Sequence, residues 1–270
     1  MSTQRKLSEL QHLLGTLERV LVCFSGGVDS SLMARVAHDR LGDDAIALTT
    51  VSPTNPDEDT ADAAELASQL GMEHLVVHVN ELDIPNYRAN PIDRCYFCKS
   101  NLYEIAAAEA ARREIPWIVD GVNADDLSDY RPGLRAAAEH TIRHPLAEVS
   151  LGKPEIRELS RDLGLRTFDR PASPCLSSRF PYGTAITLEG LARVSQGEKW
   201  LRAHGFRECR VRYHGDRARV EVPRAEIARL SAPPLRAELE AHLQSIGFTE
   251  VEIDPCGFRS GSLNEALRTT

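Results

Sequence analysis

The chain has 270 residues and a mass of 29.9 kDa, which suits one large α/β domain or a core domain with a small partner. Its 40 acidic and 32 basic residues give a formal charge of −8, which argues against binding of RNA, DNA or an anionic membrane through bulk charge. Hydrophobic residues make up 42% and charged residues 27%, which is globular rather than disordered composition.

No apolar run approaches the ~20 residues that a membrane span needs, and the first residues, MSTQRKLSEL, do not resemble a secretory signal. A cytoplasmic protein without membrane contact is therefore expected. Six cysteines in such a chain are more typical of metal binding or catalysis than of a disulfide framework.

Strands and helices are predicted to alternate through the first two thirds of the chain. An amphipathic helix over 7–17 precedes a wholly apolar strand over 20–24. Further strands are predicted at 45–51, 74–79 and 117–120, and further helices at 30–40, 57–70, 99–113 and 154–163. This alternation predicts an α/β fold with a mostly parallel sheet covered by helices on both faces. Ligands of such sheets bind beyond the carboxyl ends of the strands.

The pattern changes after a proline-containing linker at 166–186. A helix over 187–204, strands at 208–213 and 217–222, a helix over 235–246 and a strand at 249–254 predict a small α+β module. The expected organisation is a main domain over 1–180 and a small domain over 181–270.

The strongest local signal is the segment SGGVDSS, which lies directly between the first predicted strand and the next helix. Two glycines allow the backbone to approach a ligand closely, and the following N–H groups face that ligand with the helix dipole behind them. The predicted anion cradle consists of Ser25, Gly26, Gly27, Val28, Asp29, Ser30 and Ser31. It lacks the Gly-Lys-Ser/Thr ending of the common P-loop.

Three cysteines occur in unusual settings. Cys95 and Cys98 lie in DRCYFCK at the start of a helix, and Cys175 lies in PCLSSR within the linker. A helix N-terminus and the neighbouring Arg94 or Arg179 would favour the thiolate, which is the nucleophilic and metal-binding form. The remaining cysteines, Cys23, Cys209 and Cys256, are expected to be structural.

Polar residues follow the fourth predicted strand in the segment DGVNADDLSDYRPG. Carboxylates at a strand end suit Mg²⁺ or a polar substrate, but a turn with helix-capping aspartates explains the pattern equally well. In the small module, Arg210 and Arg212 share one face of a strand. Arg259 with Ser260–Ser262 offers another possible anion site, although a solvated surface is the more common role for any one of these arginines.

SGGVDSS resembles the pyrophosphate loop of the ATP pyrophosphatases, which include GMP synthetase, NAD synthetase and tRNA thiolases. These enzymes cleave ATP between the α and β phosphates and leave AMP on a substrate oxygen. The resemblance implies an adenylating enzyme that uses ATP and Mg²⁺, with residues 25–31 holding pyrophosphate and residues 50–54 near adenine and ribose.

The whole set of motifs resembles the LarE family of ATP-dependent sulfur transferases, which mature the nickel-pincer cofactor of lactate racemase. The motifs are SGGVDSS, DRCYFCK, DGVNADDLSDYRPG, PASPCLSSRFPYGTAIT, RVRYHGDRARVEV and GFRSGSLNE, and they cover nearly the whole chain. The resemblance implies that a carboxylate of a pyridinium dicarboxylate mononucleotide is adenylated and becomes a thiocarboxylate. It places Cys175 at the sulfur-donor position. The implied substrate-binding candidates are Asn123, Asp125, Arg179, Arg210, Arg212 and Arg259.

Cys95 and Cys98 depart from the simplest pattern of that family, in which a lone donor cysteine loses its sulfur and becomes dehydroalanine. With Cys175 they resemble the branch whose three cysteines hold a [4Fe–4S] cluster. Three thiolates would leave one iron open for an exogenous sulfide that is delivered repeatedly. A Zn²⁺ site completed by a histidine and a redox pair of Cys95 and Cys98 are the competing interpretations.

Three other functions are also consistent with the sequence. A tRNA thiolation enzyme would use similar loops, although the net charge and the absence of a basic tract oppose it. An amide-forming ligase would leave a donor cysteine unexplained, and a nucleotide sensor would bind ATP or AMP without chemistry. The expected partners are a small-molecule mononucleotide and further copies of this chain, with no nucleic acid.

Overall fold

The structure is a computed structural model that describes residues 2–128, 131–171, 173–259 and 263, without the side chains of 57–59. The chain divides into two compact units, one formed by residues 1–81 and 93–173 and the other by residues 82–92 and 174–270. The functional division into 1–180 and 181–270 stays a prediction. Among the described residues, no helix is long and apolar enough to cross a membrane.

The regular elements of the described chain are as follows. The strands are β1 (Val20–Cys23), β2 (Ala45–Val51), β3 (His74–His78), β4 (Trp117–Val119), β5 (Arg210–His214), β6 (Arg217–Glu221) and β7 (Glu250–Ile253). The helices are α1 (Thr3–Leu17), α2 (Val28–Leu41), α3 (Asp57–Leu70), α4 (Pro85–Arg88), α5 (Arg94–Arg112), α6 (Pro132–Glu139), α7 (Pro145–Glu148), α8 (Lys153–Asp162), α9 (Leu188–Ala203), α10 (Ile227–Ser231) and α11 (Leu235–Ser245).

The first unit contains a four-stranded parallel sheet with the strand order β3-β2-β1-β4. The central strand β1 is buried along its whole length because helices cover both faces. Val20 and Val22 pack with α1 and α2 in one core, whereas Leu21 and Cys23 pack with α5 and α6 in another. This two-sided parallel sheet confirms the fold class that the alternating pattern predicts.

The second unit contains a three-stranded sheet with the order β5-β6-β7. β5 and β6 form an antiparallel hairpin, while β6 and β7 are parallel and are joined through α10 and α11. The core includes Val211 and Val220 from the hairpin and Leu239 and Leu243 from α11. The predicted small α+β module is therefore present.

The elements that the sequence did not predict are mostly short. α4 and α7 have four residues each, α10 has five and α6 has eight, which is too little for a helical period to emerge. α5 begins at Arg94 rather than at residue 99, so both Cys95 and Cys98 lie within its first two turns.

Candidate active site

The segment that joins β1 to α2 forms a tight turn beyond the carboxyl end of the central strand. Gly26 has a φ of 72°, a conformation that favours glycine, and Gly27 is the N-cap of α2. The Ser30 hydroxyl accepts a hydrogen bond from the Ser25 N–H at 3.2 Å and lies 3.1 Å from the Ser25 hydroxyl. These bonds hold the first turn of α2 in place, and its N–H groups form the kind of helix terminus that binds anions.

The loop residues do not share one environment. Ser25 is exposed, whereas Ser31 is fully buried and its hydroxyl has no hydrogen-bond partner among the described residues. Ser25 is thus placed to reach a ligand at the loop surface. The role of Ser31 in ligand binding stays a prediction, and its burial favours a packing role.

Asp29 connects the loop to two other segments of the first unit. Its carboxylate forms an ion pair with the Lys153 ammonium and accepts a hydrogen bond from the Asn123 side chain at 3.3 Å. Lys153 lies at the start of α8 and its side chain is 40% exposed, so a cation stands beside the loop. Lys153 was not among the predicted site residues, although it is one of only four lysines among the 32 basic residues and lies at the start of a helix.

The backbone of the turn after β4 lies in direct contact with the backbone of the loop between β1 and α2. A Cβ atom added to Gly121 would lie 2.8 Å from the backbone nitrogen of Ser30. Only glycine allows this contact without a shift of the backbone. The Asn123 side chain then reaches Asp29, so the predicted Asn123 does lie beside the loop.

The two aspartates after β4 have structural partners. Asp125 accepts a hydrogen bond from the Lys153 N–H at 2.7 Å, at the start of α8. Asp126 accepts from the Asn123 N–H at 3.1 Å and pairs with Arg131 at 2.6 Å. These contacts favour the capping interpretation, while a substrate contact by Asp125 stays a prediction. Asp129 and Tyr130 of the same motif lie outside the described residues.

Asp120, the first residue after β4, is buried in a polar network. Its carboxylate accepts from the Tyr103 hydroxyl at 2.7 Å and from the Val122 N–H at 3.0 Å, and it lies 2.7 Å from the His144 Nδ1. Burial by itself raises the pKa of Asp120, but the His144 hydrogen bond and the Lys99 charge outweigh burial and lower it. Asp120 therefore stays ionised at neutral pH and anchors the turn that carries Gly121.

Cys95 and Cys98 belong to the first unit, where Cys95 is exposed and Cys98 is half-buried. Neither forms a disulfide, and no group of three or more His, Cys, Asp or Glu side chains in the described part of the chain is arranged to hold a metal ion. Cys23 and Cys209 are buried, and burial raises the pKa of each thiol to about 12. These two are neutral core residues.

In the second unit, the Cys175 segment is held by the buried guanidinium of Arg179. This group forms a two-point ion pair with Glu198, at 2.7 and 2.8 Å, and donates to the carbonyls of Pro174 at 2.6 Å and Cys175 at 3.0 Å. Burial by itself raises the pKa of Glu198, but the charge and hydrogen bonds of Arg179 lower it. This geometry favours a positioning role for Arg179, and its predicted substrate contact stays a prediction.

Two further arginines of the second unit lie near this segment. On β5 the Val211 side chain packs in the core, and Arg210 and Arg212, its neighbours in the strand, lie on the opposite face of the sheet. Arg212 donates to the Ser178 carbonyl at 3.0 Å and pairs with Glu221 at 2.7 Å. Burial, followed by the charge of Arg179, lowers the pKa of Arg210 to about 10. Arg179, Arg210 and Arg212 thus lie near the segment that carries Cys175, and Glu198 and Glu221 pair with two of them.

Arg259, another of the implied substrate-binding candidates, donates to the Gly257 carbonyl at 3.2 Å and lies 4.0 Å from the Asp254 carboxylate. Residues 260–262 of the same motif, and 264–265, lie outside the described residues. The role of Arg259 therefore stays a prediction.

A second set of contacts holds the residues that follow Cys175. The Tyr87 hydroxyl lies 2.6 Å from the Ser177 hydroxyl, and both side chains are buried. The Asn90 amide donates to the carbonyls of Pro181 at 2.8 Å and Thr184 at 3.0 Å. The sequence did not single out residues 85–90 because these contacts join parts of the chain about ninety residues apart.

The chain resembles proteins of known sequence over nearly its full length. An uncharacterized protein from Synechocystis is 46% identical over 98% of both chains. The pyridinium-3,5-bisthiocarboxylic acid mononucleotide synthase of Lactiplantibacillus plantarum is 38% identical over 97% of this chain and 95% of that protein.

More distant matches are limited to part of the chain. The family model described as NAD synthase matches residues 7–94, which include the loop between β1 and α2. The tRNA-specific 2-thiouridylase MnmA of Synechococcus is 28% identical over 58% of this chain and 53% of that protein.

Replacement of Gly121 by alanine should separate the β4 turn from the loop. The added Cβ meets backbone atoms of Ser30, so the fold should lose about 1–3 kcal/mol and ATP affinity should fall. Urea unfolding and calorimetric titration with ATP measure the two effects. Gly164→Ala is the control, because its site has a φ of 73° but open space, so stability should fall without a change in ATP affinity.

Protonation of Asp120 should contribute to acid unfolding. Because its pKa is lowered in the folded state, its stabilisation is complete above the ordinary aspartate pKa of about 3.9 and is lost as the pH falls through the lower folded value. Asp120→Asn should therefore flatten the pH dependence of unfolding below about pH 4. Asp43→Asn, at an exposed site, should leave the slope unchanged. If the free energy of unfolding had the same pH dependence in Asp120→Asn and Asp43→Asn, the result would contradict the stabilising role of the Asp120 network.

Glu198→Gln should leave the Arg179 charge buried and without its anion, at a cost of about 3–5 kcal/mol in urea unfolding. The paired replacement Arg179→Met with Glu198→Leu should recover most of that loss, since neither charge remains. The double variant should still lack the hydrogen bonds that Arg179 donates to the carbonyls of Pro174 and Cys175. A stable double variant with unaltered activity would show that Arg179 does not position the segment.

Proposed function

The chain belongs to the LarE family of ATP-dependent sulfur transferases, and from this premise we propose that it converts a carboxylate of a pyridinium-3,5-dicarboxylate mononucleotide to a thiocarboxylate. The observation that carries the proposal is the 38% identity to a pyridinium-3,5-bisthiocarboxylic acid mononucleotide synthase over nearly the whole of both chains. The preformed anion site after β1 supports the use of ATP. Expectations of a cytoplasmic location and a homo-oligomer stay predictions.

The first half-reaction activates the carboxylate. An oxygen of the substrate carboxylate attacks the α phosphorus of ATP, the bond to the bridging oxygen breaks, and pyrophosphate leaves with its electron pair. The N–H groups at the start of α2 and the ammonium of Lys153 would hold the departing phosphates, together with the Mg²⁺ that accompanies ATP. Catalysis in this step is positioning and charge stabilisation.

The second half-reaction exchanges oxygen for sulfur. The Cys175 thiolate attacks the carbonyl carbon of the acyl-adenylate, a C–S bond forms, and AMP leaves with the oxygen. Loss of the Cys175 Cα proton then breaks the Cβ–S bond, which releases the thiocarboxylate and leaves dehydroalanine in the chain. The contacts of Arg179 with the backbone of Pro174 and Cys175 would fix the donor segment during this step.

A [4Fe–4S] cluster held by Cys95, Cys98 and Cys175 is the alternative source of sulfur. Two features fit such a group: all three thiols are outside disulfides, and Cys95 and Cys98 lie one turn apart on α5. The described residues contain no preassembled three-ligand site, so the cluster is proposed from the donor set alone. When bound, it would supply an open iron that carries an exogenous sulfide, and Cys175 would then keep its own sulfur.

Cys175→Ala should abolish thiocarboxylate formation and leave pyrophosphate release intact, because the adenylation step uses the loop and not this thiol. Mass spectrometry of the nucleotide product and a pyrophosphate assay measure the two steps separately. Cys256→Ala, which removes an exposed thiol elsewhere in the second unit, should alter neither step. Full sulfur transfer by Cys175→Ala would contradict both roles proposed for this residue.

A single turnover of the native chain distinguishes the two proposed sulfur sources, the Cys175 thiol and a sulfide bound to the cluster. The intact mass of the chain should fall by the mass of H₂S after one turnover if Cys175 is consumed. An unchanged mass, with iron and acid-labile sulfide bound after anaerobic reconstitution, favours the cluster instead.

A further inference from the structure

An arginine from the linker contacts a peptide group between two glycines of the loop. Because Gly26 and Gly27 are adjacent and lack side chains, the peptide group between them can rotate with little steric penalty. The Gly26 carbonyl accepts a hydrogen bond from the Arg170 guanidinium at 3.1 Å. The next peptide group is held by α2, since the Ser31 N–H donates to the Gly27 carbonyl at 2.9 Å. Arg170 thus holds a peptide group that lies just outside the hydrogen bonds of the helix.

The orientation of this peptide group affects whether the loop can bind an anion. In a planar trans peptide the C=O and N–H bonds point in opposite directions. The Arg170 contact fixes the Gly26 carbonyl on one side and leaves the Gly27 N–H on the other, 3.4 Å from the hydroxyl of the exposed Ser25. A reversed peptide group would present a carbonyl oxygen there instead of a donor, and that oxygen would repel phosphate.

Further contacts hold the arginine in place. The Arg170 guanidinium pairs with the Asp62 carboxylate of α3 at 2.9 Å, and the arginine side chain is only 18% exposed. The Arg170 carbonyl accepts from the Arg157 guanidinium of α8 at 2.7 Å, and the same guanidinium donates to the Phe168 carbonyl at 2.6 Å. Arg157 lies one helical turn after Lys153, the cation beside the loop. α8 therefore supports the loop both through Lys153 and through the backbone that carries Arg170.

We propose that Arg170 is a positioning residue of the nucleotide site, which keeps the peptide group between Gly26 and Gly27 in the orientation that binds phosphate oxygens. The inference rests on the proposed function, because the phosphates of ATP are the anions that the loop would bind. In this role the guanidinium acts through the backbone and does not itself contact the phosphates. It differs in this from Lys153, whose ammonium would hold the departing phosphates directly.

Calorimetric titration of the full-length chain with inorganic pyrophosphate in the presence of Mg²⁺ tests the role. Arg170→Met keeps much of the apolar side chain but removes the donor, so the affinity should fall at least about tenfold. Arg170→Lys retains a charged donor and should recover part of that loss. Arg166→Met is the matched control, because Arg166 lies in the same linker, is 79% exposed and pairs with Glu65 of α3, so its loss should leave the affinity unchanged.

The dependence on salt separates a hydrogen bond to the backbone from a general effect of charge. The difference in affinity between the native chain and Arg170→Met should persist as NaCl is raised, because salt screens distant charges far more than a direct hydrogen bond. A difference that disappears at high salt would show that Arg170 acts through its charge alone and would overturn the proposal.

A measurement on the native chain avoids any effect of substitution on folding. With ¹⁵N-labelled glycine, the amide signal of Gly27 should move when inorganic pyrophosphate is added, because this N–H becomes a donor to the anion. A bound pyrophosphate that leaves the Gly27 signal in place would overturn the proposal.

Failure of this inference is distinguishable from failure of the proposed function. Native affinity in Arg170→Met, when the native chain binds pyrophosphate, would overturn the positioning role alone. No pyrophosphate binding by the native chain would overturn the positioning role together with the proposed nucleotide site. Sulfur transfer is not needed for either measurement.

Discussion

The close approach of two backbone segments at the carboxyl end of the parallel sheet is the constraint on which the proposed nucleotide site depends. The turn after β4 meets the first turn of α2 at Gly121, where a single added carbon would contact the backbone nitrogen of Ser30. This contact brings Asn123 to Asp29, and Asp29 in turn holds Lys153 beside the loop. The proposed anion site thus involves three segments that the sheet brings to one edge, rather than the glycine-rich loop alone.

In the second unit, side-chain contacts hold Cys175, the proposed sulfur donor, at the start of a short 3₁₀ turn. Arg179 and Glu198 form a buried ion pair whose remaining donors bind the backbone on either side of the thiol. A buried ion pair adds little stability by itself but demands a specific geometry. The contacts of Tyr87 and Asn90 with the residues that follow Cys175 add to this hold. The segment that carries Cys175 is therefore fixed mainly by side-chain contacts.

Much of the fold could be predicted from the sequence because the strands of a covered parallel sheet are continuous apolar runs, as in residues 20–23. The phosphate loop was equally visible, since its glycines and serines directly follow such a run. Glu198 could not be predicted from the sequence, because it is an ordinary acidic residue whose importance comes from Arg179, 19 positions away. The short helices α4 and α7 were missed because four residues carry no period.

Isotope exchange between pyrophosphate and ATP tests the central claim most directly, because it reports reversible adenylation and does not require sulfur. With Mg²⁺, ATP, labelled pyrophosphate and the pyridinium dicarboxylate mononucleotide, the account predicts that label enters ATP only when the mononucleotide is present. Absence of exchange under these conditions, or exchange at the same rate without the mononucleotide, would contradict the assignment of an acyl-adenylate to this protein.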